Sequence, residues 1–260
     1  MKNQAVRRFE EVDNPEVRKR MVFDEEKTKD YLNSLIESIL SDRAVEHPFL
    51  HWYAHNALTK DQERKLYLEC FYFFQYLPFY IAGMAMSTRS YNVLRELILN
   101  VFDEVGGDVL HVTLWRQFLY GIDISDEDIA AYHCLPTTTA LNEGIKSLYT
   151  EMPIAKSLGA LYADETMSAI MTAKLNEGLK NQGYDEQMRY FWILHTEVEV
   201  GHSNSVFNAI FPYMKEENTK KLFEAGMTRF LDLVEAYWDG VDLLLRGDEA
   251  ASEKASLAAA

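Results

Sequence analysis

With 260 residues, 48% of them apolar, and only six prolines and twelve glycines, the chain has material for a sizeable core and no Ser/Gly-rich linker, so one main domain is expected. A formal charge of −15 argues against nucleic-acid binding, which concentrates Lys and Arg on one face to neutralise phosphates. Cys70 and Cys134 form no CxxC motif, the start MKNQAVRRFEEVDN lacks an apolar signal core, and the apolar stretch around 71–86 falls short of a membrane span; a cytoplasmic protein without a disulfide framework is expected.

Helical periodicity dominates, and no alternating strand pattern interrupts it. Residues 1–24 form a charged arm in which Arg7, Arg8, Arg18, Lys19 and Arg20 alternate with Glu10, Glu11, Asp13 and Glu16. Helices are predicted over 25–42, 60–82, 87–104, 108–120, 126–132, 137–149, 153–180, 184–211 and 216–246, within a domain spanning 25–247. Thr59 or Asp61 suits the start of the second, Ser125 with Asp128 resembles a capping box, and Pro153 suits a first helical turn. Pro78 should kink ECFYFFQYLPFY, because proline removes a backbone donor and crowds the preceding turn. His47, His51 and His55 have i, i+4, i+8 spacing but no matching carboxylate, and read as surface or structural histidines. The ending GDEAASEKASLAAA places a disordered or fraying tail at 248–260.

Three segments carry candidate chemistry. In YFWILHTEVEVGHSN, His195, Glu199 and His202 stand at i, i+4 and i+7, so one helix face presents two imidazoles and a carboxylate. That donor set suits iron or manganese, and the lack of a nearby cysteine argues against structural zinc; the alternative is a helix whose histidines satisfy local hydrogen bonds. In NVFDEVGGDVLHVTLW, Glu104 and His111 are two turns apart and share a face if the helix is continuous. Gly106 and Gly107 between them imply a bend, a close backbone approach or a loop. In the apolar helix around GALYADETMSAIM, Glu165 lies on the stripe of Leu158, Leu161, Tyr162, Ala169 and Thr172 and is the better ligand candidate, with Asp164 as the exposed member of the pair.

Taken together, E-x6-H, then E, then H-x3-E-x2-H, with DE before glycine and H-x-x-LW after it, resembles the haem-oxygenase-like di-iron oxidases. The similarity to the chlamydial protein associating with death domains and its bacterial relatives extends from about His47 to the last long helix. It implies an all-α, haem-oxygenase-like seven-helix bundle in which Glu104, His111, Glu165, His195, Glu199 and His202 hold two ferrous ions that activate O2, Glu165 bridging. It also implies a small-molecule substrate such as an amino acid, amine or fatty acid, an external electron donor and a homodimer, with N-oxygenation, desaturation or C–C cleavage as outcomes. Two departures matter. Glu199 stands where many relatives have Asp, and Leu50 and Asp164 stand where the chlamydial protein has tyrosines, one of which it consumes; an external substrate is therefore expected.

Tyr72, Phe73, Tyr76, Tyr80, Tyr162 and Trp192 are candidate pocket residues, with ordinary core packing as the alternative. Glu69 is either a further carboxylate near the site or an exposed residue. Competing readings are a ferritin-like di-iron protein, disfavoured by a single E-x-x-H pair, and a metal-free helical interaction protein. HTEVE supplies no HExxH, which leaves a zinc peptidase without its motif.

Overall fold

The computed structural model describes residues 25–106, 109–196, 206, 209–211, 214 and 216–247. The chain divides into two compact units, 1–36 and 37–260. The described part of the first is the front of helix α1 (Glu25–Leu40), and all the later helices belong to the second.

Among the described residues there are helices and no strands, as the periodicity predicts. Helix α2 (Pro48–His55) is absent from the sequence expectations, because a helix this short shows little more than two turns of pattern. His47 starts it: its Nδ1 accepts from the Phe49 amide at 3.2 Å, and Pro48 fits the first turn, where no amide is needed. His47 is buried, whereas His51 and His55 are exposed, so the three serve structure and surface.

The predicted helix 60–82 is two helices. α3 (Lys60–Phe74) opens with a Thr59–Gln62 capping box, and α4 (Leu77–Ser87) carries Pro78 in its first turn, so the proline starts a new helix instead of kinking an old one. α5 (Tyr91–Gly106) and α6 (His111–Gly121) come next, then α7 (Asp126–Ala131) behind the expected Ser125–Asp128 capping box, and α8 (Pro136–Thr150). Glu69, on α3, is fully buried away from the surface. It accepts from the Tyr132 hydroxyl at 2.6 Å, the Leu135 amide at 3.1 Å and the Thr138 hydroxyl, and so ties the α7–α8 connection to the core.

α9 (Ile154–Asn181) starts after Pro153 and is buried continuously from Ser157 to Glu165, which marks it as the central helix. Its main partner is α11 (Glu217–Arg246), an amphipathic helix that buries Phe223, Met227, Phe230, Val234 and Trp238. The two backbones touch where both sequences carry glycine. A Cβ on Gly159 would lie 1.9 Å from the Phe223 carbonyl oxygen, and one on Gly226 would lie 1.9 Å from that of Lys156. α2 and α8 also pack on α9, and α8 packs on α4 and α11. Between α9 and α11 the described residues 190–196 are helical (α10); the predicted helix 184–211 therefore begins later than expected, after turns at 186–189. No helix of the described residues is long and apolar enough to cross a membrane.

Candidate metal centre

Four of the six sequence-predicted ligand residues are described, and all four are buried: Glu104 at the end of α5, His111 at the start of α6, Glu165 in the middle of α9 and His195 on α10. Glu199 and His202 lie outside the described residues. Ligand atoms of Glu104, His111 and His195 come within 4.8 Å of one another. The imidazole rings of His111 and His195 meet edge to face with centroids 4.6 Å apart, and Glu104 Oε2 lies 3.0 Å from His111 Nδ1. The continuous helix between Glu104 and His111 is not what forms: α5 ends at Gly106 and α6 begins at His111, so the pair comes from two helices.

His195 is oriented from behind. Its Nδ1 lies 2.7 Å from the Phe191 carbonyl oxygen, an acceptor only, so Nδ1 carries the proton and Nε2 the lone pair. Phe191 and Phe74 pack against the same ring, at 3.8 and 5.5 Å between centroids. Glu165 is held differently: the side-chain amide of Asn100, one turn before Glu104 on α5, donates to Glu165 Oε1 at 2.6 Å.

Asp164 is not the exposed member of its pair. It is as buried as Glu165, accepting from the Tyr149 hydroxyl at 2.7 Å and from Ser168 Oγ at 3.3 Å. Burial first, and then the charge of Glu165, push its carboxyl up to about 7, from an ordinary 3.8; Glu104 acts in the same direction.

Glu104 and Glu165 also line a cavity, together with Asp164 and Asn100. These four form its polar wall, and no described Lys or Arg lines it. Of the aromatic pocket candidates, Phe73 and Trp192 line the cavity and Tyr72, Tyr76, Tyr80 and Tyr162 do not; Tyr80 bonds Asn142, and Tyr162 packs on Phe223. Sequence reasoning missed Phe74, Asn100, Trp115, Ser168 and Phe191, which also line it. The spacing of Asn100 and Ser168 one turn from Glu104 and Glu165 was the available signal.

The donors fit a divalent first-row cation. Two imidazoles and carboxylates without thiolate suit iron or manganese, and the buried Glu104 and Glu165, with no described Lys or Arg lining their cavity, make a site whose charge calls for a cation.

A family model described as an iron-containing redox enzyme matches residues 65–236. The chain belongs to that family. This iron-containing redox enzyme is 56% identical over 227 residues to the 4-chloro-allylglycine synthase of Streptantibioticus cattleyicolor, covering 87% of this chain and 88% of that one. It is also 20% identical over 225 residues to the 4-aminobenzoate synthase of Chlamydia pneumoniae, covering 86% and 99%. Among solved structures, a domain with a haem-oxygenase-like fold from Shewanella denitrificans matches with a TM-score of 0.64 at 17% identity, over 87% of this chain and 97% of the other. At that identity the match speaks to fold alone, and it agrees with the all-α, haem-oxygenase-like bundle expected from the sequence.

Proposed function

We propose that this redox enzyme is a cytoplasmic, non-haem di-iron oxygenase that oxidises a small amino acid, with Glu104, His111, Glu165, His195, Glu199 and His202 holding two ferrous ions. The observation that carries the reading is the convergence of Glu104, His111 and His195 from three helices to within 4.8 Å, with Glu104 and Glu165 lining one cavity that no described Lys or Arg lines. Bound ferrous ions would supply the reduction of O2 and the oxidising power to remove hydrogen from an unactivated carbon.

The protein's own groups prepare that chemistry. The Phe191 carbonyl fixes the His195 tautomer with the lone pair on Nε2, Phe74 and Phe191 pack against the ring, and the Asn100 amide holds Glu165 Oε1. Leu77, Ile81, Met171 and Leu175 give the cavity an apolar side that limits water.

The substrate class is carried by the likeness to a 4-chloro-allylglycine synthase, whose name specifies an unsaturated amino acid as product. By that likeness, C–C cleavage or desaturation that leaves an alkene is favoured over N-oxygenation. An external substrate agrees with Leu50 and Asp164, neither of which offers a phenol to consume. The same proposal includes an external electron donor and a homodimer.

The test is anaerobic loading of the chain with ferrous iron, exposure to O2 with a panel of free amino acids and fatty acids, and mass spectrometry of the mixture. Consumption of an amino acid with formation of an alkene product is expected. Loss or gain of mass at a protein side chain with no small molecule consumed would replace this reading with a self-modifying one.

A further inference from the structure

Asp164 has no part in the proposed ligand set, yet it occupies the wall of the same cavity beside Glu165. Both of its oxygens are fixed, one by Tyr149 and one by Ser168, so the carboxylate is presented in a set orientation and stays acceptor-rich: each oxygen has a further lone pair. Across Glu165, Asn100 gives its amide N–H to that residue and leaves Oδ1 with no hydrogen-bond partner among the described residues, although the side chain is 2% exposed. A buried amide oxygen without a partner is a feature that a native protein seldom keeps unless something else satisfies it.

Two buried polar groups, the Asp164 carboxyl and the Asn100 amide oxygen, therefore line a space that no described Lys or Arg enters. Such a wall offers no Lys or Arg partner to a carboxylate and matches a group with several hydrogen-bond donors, as an ammonium has. The opposite side, with Phe73, Leu77, Ile81, Met171 and Leu175, is apolar and suits methylene groups.

We propose that Asp164 and the Oδ1 of Asn100 form the anchor for a protonated primary amine of the substrate, seating an aliphatic ammonium beside the metal centre and discriminating against chains that carry no amine. The inference rests on reading this cavity as the substrate site, and it sets amines apart from fatty acids among the substrates this fold could take. Asp164 acts as a specificity-determining residue, with Tyr149 as the residue that positions it.

The experiment uses the full chain loaded anaerobically with ferrous iron, so that the metal donors are occupied and no turnover occurs. n-Pentylamine, 1-pentanol and pentanoate, three probes with the same chain, are titrated against the fluorescence of the cavity tryptophans, and iron is counted in each sample. The amine is expected to bind about ten-fold or more tightly than the alcohol, with pentanoate weakest. Asp164→Asn, which keeps shape and removes charge, should abolish the preference while leaving iron content and pentanol binding unchanged, and Tyr149→Phe should reduce it. Equal preference for the amine in Asp164→Asn, or tighter binding of pentanoate by the unaltered chain, overturns the inference. An iron count of zero with the amine preference intact would instead remove the metal proposal and leave the anchor standing.

Discussion

Glu104 Oε2 and His111 Nδ1 lie 3.0 Å apart although the residues belong to different helices, α5 ending at Gly106 and α6 beginning at His111. On one continuous helix, seven residues would separate them by about 10 Å along the axis, too far to share an ion. The change of helix between Gly106 and His111 is thus what makes the pair. Replacing Gly106 and Gly107 together by alanine favours a continuous helix by about 1 kcal/mol per residue and should weaken iron binding while helical content by circular dichroism holds or rises. Unchanged iron affinity in a helical double variant would show that the break is incidental.

Gly159 permits the close contact of α9 and α11. A methyl group there would meet the Phe223 carbonyl at 1.9 Å. Gly159→Ala should cost about 1–3 kcal/mol, read as a fall of several degrees in Tm. A Tm within a degree of the unaltered protein would mean that the helices separate without cost.

The helices were legible because long amphipathic segments such as 217–246 carry many repeats of one period, and capping residues such as Ser125 mark their starts. Less was legible where the answer depended on other parts of the chain. Asp164 read as exposed because it sits about 100° from Glu165, but angular position decides exposure only on a helix with a solvent face, and α9 has none there. Asn100, Trp115 and Phe191 reach the cavity through the arrangement of three helices, which spacing within each does not reveal. The convergence of Glu104, His111 and His195 was readable as an ordered set of motifs, since the donor types and their order survive without the geometry.

Glu69 looked equally ready for the site or the surface and belongs to neither. Glu69→Ala would strand the Tyr132 and Thr138 hydroxyls and the Leu135 amide, for a loss of about 3 kcal/mol in chemical denaturation. Iron content per folded chain should not change. A variant that is stable but iron-poor would return Glu69 to the metal centre.

Burial pushes the Cys70 thiol up to about 12 from an ordinary 9.0, so the folded protein holds its proton where the unfolded chain has lost it. The cost of that retained proton is absent below pH 9, and stability is lost as the pH rises from about 9 towards 12. Urea unfolding across that range should show a decline that Cys70→Ala makes shallower, and the native thiol should resist alkylation at pH 8. Rapid alkylation of Cys70 in the folded protein at pH 8 would contradict its burial.

Counting iron bears on the metal centre without any knowledge of the substrate. Anaerobic loading with ferrous ion, removal of excess metal and elemental analysis should give two irons per chain for the unaltered protein, and at most one for His195→Ala and for His202→Ala, with all three folded by circular dichroism. Two irons retained in His195→Ala, or none in the unaltered chain, would contradict a di-iron centre built on these residues.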